Sequence, residues 1–283
     1  MHVVRRKADV DALTRELPAA QRVAIVGGGY VGLEAAAVLA RLGKKVTVLE
    51  AAERVLSRVA GEPLSRFYES EHRAQGVDLL TGVTVVAIEG EGAVAGVRLE
   101  GGESIPAQLI IVAIGIGAAV EPLIEAGAAG SDGVHVDEYC RTSLPDIYAV
   151  GDCARHSNRF AGGATVRLES VQNATDQASI AARVISGMPE PYAAVPWFWS
   201  NQFDLRLQTV GLWRDFDELV LRGKPAARSF SVLYLRGGKL IAADCVNAVR
   251  DYAQARKIIA EGLPLKTAGL ADAGTPLKDM ISS

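Results

Sequence analysis

Hydrophobic positions along the chain change period several times, and each change marks an element. Residues 23–26 and 46–49 are short unbroken apolar runs, the pattern of strands buried on both faces. Between them, residues 33–42 form an alanine-rich apolar stretch of helical length, which Gly43 ends. Residues 62–75 return to helical spacing, with Leu64, Phe67 and Tyr68 on one face and Gly76 as the cap. Alternating segments at 83–88, 93–99 and 103–106, separated by the turn sequences EGEG and EGGE, predict an antiparallel meander. QLIIVAIGIG, residues 108–117, reads as a buried strand ending in Gly115 and Gly117. Residues 147–150 predict another short strand, and 167–185 a helix with alanines on one side for close packing. Past the proline-rich joint GMPEPYAAVPW, strands are expected near 205–212, 219–222, 229–234 and 239–246, followed by a helix over 247–261. The class is α/β, with a C-terminal α+β part.

The first strand–helix–strand carries chemistry. In RVAIVGGGYVGLEAAAVLARLGKKVTVLE, Gly27, Gly29 and Gly32 fill the spacing G-x-G-x-x-G, and Glu50 closes the second strand 18 residues beyond Gly32. This is a Rossmann-like dinucleotide fingerprint. Gly27 permits the tight turn, Gly29 lets the backbone approach a pyrophosphate, and Gly32 lets helix and strand pack closely. The helix start offers N–H groups and positive dipole to phosphates. Glu50 can accept both ribose hydroxyls and repels a 2′-phosphate; Ala51 and Ala52 follow it with no cation before Arg54, which favours the unphosphorylated nucleotide. FAD and NAD share that adenosine ribose, so the motif by itself fits either. Further along, glycines at 115 and 117 suit backbone passing close to a bound ring, or a plain turn. Asp152, at the carboxyl end of the strand expected at 147–150, suits a hydrogen bond from a polyol hydroxyl or the N-cap of a following helix.

Composition narrows the class. The 283 residues are 49% hydrophobic and 22% charged, enough to bury a large core in more than one domain. There is no uninterrupted apolar run of about 18 residues or more and no signal sequence before the first strand, so a soluble, cytoplasmic protein is expected. Cys140, Cys153 and Cys245 are far apart and show no C-x-x-C pair, which argues against a disulfide framework or a zinc knuckle. His2, His72, His135 and His156 have no ligand spacing, and no motif points to metal, nucleic acid or membrane. Net charge is −3, but residues 194–283 carry 12 Lys+Arg against 9 Asp+Glu, so the C-terminal part is basic and the rest acidic. A basic face suits an acidic partner, and it also suits an ordinary solvated surface.

VAIVGGGYVGLEAA, VTVLE, VAIGIG, DIYAVGDCARH, RLESVQNATDQA and VPWFWSNQFDLRLQTVG occur in the order and spacing of the FAD-dependent NADH:ferredoxin reductases of oxygenase systems, the putidaredoxin-reductase and biphenyl-dioxygenase-reductase group. The chain resembles that family over essentially its whole length. The resemblance implies hydride transfer from NADH to FAD and single electrons onward to a [2Fe-2S] ferredoxin, with an acidic ferredoxin or similar carrier as partner. Homodimer formation stays open. Such reductases hold two glycine fingerprints, and the one here resembles the second, which takes NADH. The part of the FAD domain with the first fingerprint is thus expected to be missing from this chain. The domains implied are 1–20, a linker and FAD-domain remnant; 21–128, NAD-binding; 129–193, the C-terminal half of a second Rossmann-like domain, for FAD; and 194–283, the α+β reductase domain.

Carried over residue by residue, Gly27, Gly28, Gly29, Tyr30, Val31 and Gly32 would cradle the NADH pyrophosphate, with Glu50 on the ribose and Arg58 beside its adenine end. Ile114, Gly115 and Ile116 would pass the nicotinamide. Glu34 resembles the family glutamate beside that ring, and would equally be an acid favoured by the helix dipole. Gly151 and Asp152 would meet the ribityl chain of FAD, and backbone at Val171 and Gln172 the pyrimidine edge of the flavin. Trp197 and Trp199 resemble the tryptophans near the isoalloxazine ring, and two aromatics at that spacing also suit strand packing. No catalytic acid, base or nucleophile is implied. Two other readings stand beside this one: an NAD-binding fragment without redox activity, and a related flavoprotein serving rubredoxin, a nitrite-reducing centre or oxygen.

Overall fold

In a computed structural model, residues 1–282 are described, and they divide into two compact units: residues 1–115 with 200–206, and residues 116–199 with 207–282.

The first unit begins with α1 (Lys7–Glu16), which buries none of its residues. Then come β1 (Arg22–Val26), α2 (Tyr30–Arg41), β2 (Lys45–Glu50), α3 (Glu62–Ala74) and β3 (Asp78–Thr81). A meander follows, β4 (Val85–Glu89), β5 (Gly96–Leu99) and β6 (Ser104–Pro106), and then β7 (Leu109–Val112). The main sheet has the order β3-β2-β1-β7 and is parallel throughout, which explains why β1, β2 and β7 read as unbroken apolar runs. His2 pairs with the open edge of β7, its N–H donating to Ile110 O at 2.8 Å and its carbonyl accepting from Val112 N at 2.9 Å. The meander is antiparallel, as expected, and Val97, Leu99 and Ile105 pack with Ala24, Leu49 and Ile110 in one apolar cluster. Along α3, Leu64, Tyr68 and His72 stand four residues apart and all are fully buried, so the apolar stripe that the spacing predicts also carries an imidazole.

The second unit contains α4 (Glu121–Glu125) and a small sheet of β8 (Gly130–Ser131), β9 (Gly133–Val136), β10 (Ala154–Ser157) and β11 (Thr165–Arg167), in the order β11-β10-β9-β8. After α5 (Val171–Ile185), β12 (Trp197–Gln202) begins in this unit. β13 (Leu205–Gly211), β14 (Glu218–Lys224), β15 (Ser229–Arg236) and β16 (Lys239–Val246) complete a five-stranded sheet, ordered β12-β13-β16-β15-β14. One face is covered by α6 (Val249–Glu261), whose Tyr252, Ala255, Ile258 and Ile259 pack with Leu233, Leu235, Ala243 and Cys245. Arg222 is completely buried beneath the last residues. It donates from Nε to Asp251 Oδ2 (2.8 Å) and from its terminal nitrogens to the carbonyls of Leu270, Asp272 and Thr275.

Two expectations are corrected. Residues 147–150 form no strand: Tyr148 makes only an isolated bridge to Arg141, because the backbone here bonds back to its own preceding turn, Thr142 N to Ile147 O and Ala149 N to Cys140 O. The helix expected from 167 starts at 171, since residues 165–167 pair with β10 and the Ser170 hydroxyl caps the helix by accepting from Asn173 N at 3.1 Å. Conversely, α2 starts at Tyr30, three residues before its predicted start, with Gly29 as N-cap.

Candidate functional site

In the first unit, the turn from β1 into α2 shows why each glycine is there. Gly27 has φ +110°, and a Cβ on it would lie 2.3 Å from the Ala113 carbonyl oxygen. A Cβ on Gly32 would come within 2.0 Å of the Gly27 oxygen, so helix and turn touch backbone to backbone. Gly29 differs: a Cβ there would meet nothing within 4 Å, so its missing side chain leaves free space over the N-terminus of α2. First-turn N–H groups of a helix lack acceptors inside it, and they face that space with the positive end of the dipole. Glu50 sits at the carboxyl end of β2. Its Oε2 accepts from Gly28 N at 2.6 Å and its Oε1 from Ala52 N at 2.8 Å, so both oxygens are fixed by backbone and keep further lone pairs for a diol. Arg58 stands over Gly115, a guanidinium nitrogen 3.5 Å from where a Gly115 Cβ would be. Ile114 is exposed and also lies beside this strand end; Ile116 is the first residue of the second unit. An open glycine surface at a helix start, an anchored carboxylate and a nearby guanidinium suit a dinucleotide.

Glu34 lies in the first turns of α2, where the sequence puts it, and it has partners that the sequence did not show. Ser200 Oγ donates to Glu34 Oε1 at 2.6 Å, Gln202 Nε2 donates to Ser200 Oγ at 3.1 Å, and Gln202 Oε1 meets His72 Nε2 at 2.8 Å. Burial raises the Glu34 pKa above the ordinary glutamate value, and the Ser200 hydrogen bond opposes this. Burial lowers that of His72, against the hydrogen bond with Gln202. The only sequence signal for this set was the four-residue spacing that puts His72 on the buried face of α3.

In the second unit, Gly151, Gln172 and Trp197 gather at the start of α5. Gly151 has φ +75° and donates its N–H to Gln177 Oε1 at 2.7 Å. The buried Gln172 side chain accepts from Trp197 N at 3.2 Å and donates to Asp176 at 2.5 Å, so it binds the helix start to β12. Val171 is 64% exposed at the first helical position, which leaves the helix start open on that side. Asp152 lies in the short 3-10 turn Gly151–Cys153, whose N-cap is Val150; the alternative that Asp152 caps a helix is thereby removed. Its carbonyl accepts from Arg167 at 2.9 Å. The Trp197 and Trp199 rings lie 5.6 Å apart at 33°, and Arg256 stands 5.6 Å from the Trp197 ring. An exposed helix start with indoles beside it suits the flavin end of FAD. All three cysteines are free.

The chain belongs to the pyridine nucleotide-disulphide oxidoreductase family, whose sequence pattern matches residues 1–178, with a reductase C-terminal domain matching 197–281. Among individual proteins, it is 58% identical over 285 residues to the ferredoxin reductase subunit of 5,5′-dehydrodivanillate O-demethylase from a Sphingobium species, covering 100% of this chain and 69% of that protein. It is 40% identical over 284 residues to putidaredoxin reductase of Pseudomonas putida, covering 99% and 67%. Among solved structures, the covalent putidaredoxin reductase–putidaredoxin complex matches with a TM-score of 0.95 at 39% identity, over 99% of this chain and 67% of that one. A ferredoxin reductase from Rhodopseudomonas palustris matches with 0.95 at 38%, over 99% and 70%. No helix among the described residues is long and apolar enough to cross a membrane.

Proposed function

We propose that the chain works as a ferredoxin reductase of an oxygenase system, taking a hydride from NADH onto FAD and delivering single electrons to a [2Fe-2S] ferredoxin in the cytoplasm. The observation that carries this reading is the reductase C-terminal match over 197–281, joined to a nucleotide fold with no cysteine pair. FAD, when bound, supplies the chemistry of accepting a hydride and releasing electrons singly. The protein's work is binding and orientation. The α2 N-terminus at Gly28–Gly32 takes the NADH pyrophosphate, Glu50 selects an unphosphorylated ribose, and Arg58, Ile114 and Gly115 flank the strand end along which the nicotinamide arm runs. Glu34 hydrogen-bonds at the nicotinamide end. When FAD is bound, Gly151 and Asp152 would hold its ribityl hydroxyls, the start of α5 would offer N–H groups and dipole to its pyrimidine edge, and Trp197 and Trp199 would lie near its ring. The basic residues of 194–283 favour an acidic carrier.

The test is anaerobic absorption spectroscopy of the purified protein with FAD, NADH and a [2Fe-2S] ferredoxin. The expected outcome is bleaching of a protein-bound flavin spectrum by NADH, followed by loss of the oxidised ferredoxin spectrum. A protein that binds NADH yet holds no flavin would instead make this chain a nicotinamide-binding piece without redox activity.

A further inference from the structure

His72, Gln202, Ser200 and Glu34 form one unbroken line of hydrogen bonds inside the first unit, and its proton positions follow from elementary donor–acceptor rules. A carboxylate only accepts, so the Ser200 hydroxyl proton lies toward Glu34, 2.6 Å away. The lone pairs of Ser200 must then be approached by a donor, which puts the Gln202 amide nitrogen on Ser200 at 3.1 Å and its carbonyl oxygen toward His72 at 2.8 Å. That oxygen needs a donor in turn, so His72 carries its proton on Nε2. The opposite polarity would start from a protonated Nδ1. That atom is buried and has no partner among the described residues, and a buried N–H without an acceptor is rarer and costlier than a bare ring nitrogen. Phe203 closes the far side of the imidazole, ring centroids 4.9 Å apart. Ser200, Gln202 and His72 are all essentially inaccessible to water, so no solvent competes for these bonds.

We infer that Ser200, Gln202 and His72 are positioning residues that hold the Glu34 carboxylate in one rotamer, as an acceptor, for the carboxamide end of the bound nicotinamide nucleotide. Each donor points the same way, and the last acceptor is the carboxylate, so successive bonds polarise one another toward Glu34. Burial pushes the Glu34 proton affinity up, and the Ser200 hydroxyl pulls it back. A carboxylate held by one oxygen keeps the other for a ligand amide. His72 stays neutral, its pKa lowered by burial, so it fixes direction and adds no charge.

This inference rests on the reading that Glu34 serves the nicotinamide, and the experiment separates the two. NADH affinity is measured by calorimetric titration of the full chain and of Ser200→Ala, Glu34→Gln and the double variant. Ser200→Ala is expected to weaken NADH binding about tenfold, the lower end of the scale of one hydrogen bond to a charged group, and to have no further effect once Glu34 is Gln. Ser200→Thr, which keeps the hydroxyl, is expected to restore affinity to within about twofold. In parallel, the imidazole 15N spectrum is expected to show the Nε2-protonated form of His72 and to change in Gln202→Met, whose similar volume preserves packing. If Glu34→Gln leaves NADH affinity unchanged, the nicotinamide role of Glu34 fails and the inference with it. If Glu34→Gln weakens binding but Ser200→Ala costs the same factor in both backgrounds, or His72 is protonated on Nδ1, the positioning chain alone is overturned.

Discussion

Gly27 and Gly29 belong to one motif but forbid side chains for different reasons, and the difference is measurable. At Gly27 a methyl group meets the Ala113 carbonyl at 2.3 Å in a positive-φ conformation, so Gly27→Ala should lower the thermal unfolding temperature with or without nucleotide. At Gly29 the conformation is extended and the space is open, so Gly29→Ala should unfold within about 0.5 kcal/mol of the parent while losing NADH affinity in titration calorimetry. Asp244 makes a second residue-scale prediction. It is fully buried and accepts from the Tyr234 hydroxyl at 2.6 Å, and burial lifts its pKa from 3.8 to about 7. The native state therefore holds this proton more tightly than the unfolded chain does. Its contribution to stability is complete below pH of about 4 and is lost as pH rises toward 7. Denaturant unfolding between those values should show stability falling with pH, and Asp244→Asn should flatten that slope.

At the scale of elements, one cation joins the C-terminal segment to the sheet beside the apolar packing of Leu265, Leu270, Leu277 and Met280. Arg222 of β14 reaches Asp251 of α6 and three carbonyls of residues 270–275, so β14, α6 and the last turns share a single guanidinium. Asp251→Ala leaves that guanidinium buried without its counter-charge and should cost about 3–5 kcal/mol in chemical denaturation, more than an average point change. Elements whose ends are set by local chemistry were legible in the sequence: Gly43 and Gly76 bound α2 and α3 because they take positive φ where a helix stops, and the EGEG and EGGE turns delimit the meander. Elements decided by tertiary hydrogen bonds were not. Residues 147–150 have strand composition but bond to their own turn, and Arg167 was drawn out of a helical-looking run by pairing with Arg155 of β10. β3 went unread, since Asp78–Thr81 is too short for its pattern to stand out and is fixed by pairing with β2.

At the scale of the molecule, charge is the property that sequence discloses best, because it needs no coordinates. Residues 194–283 carry a surplus of three positive charges, and an acidic ferredoxin approaching them should feel a field screened within about 10 Å at 0.1 M salt. The second-order rate of ferredoxin reduction should fall by about tenfold between low and high ionic strength, read by stopped-flow, while the rate of hydride transfer from NADH should not change. The geometry of the glycine turn was legible for a related reason: Gly27, Gly29, Gly32 and Glu50 lie within one contiguous strand–helix–strand, so spacing encodes their arrangement. The Glu34 partners were hidden because 166 residues separate Glu34 from Ser200, and nothing in the spacing of either announces the other. That separation has a consequence for anyone cutting the gene. Because residues 200–206 fold with residues 1–115, no single junction excises the first unit intact. A fragment stopped at Gly115 would strand a buried imidazole and a half-buried carboxylate without their mates, and transplanting the unit into another protein would require two splice points and a graft of the 200–206 hairpin.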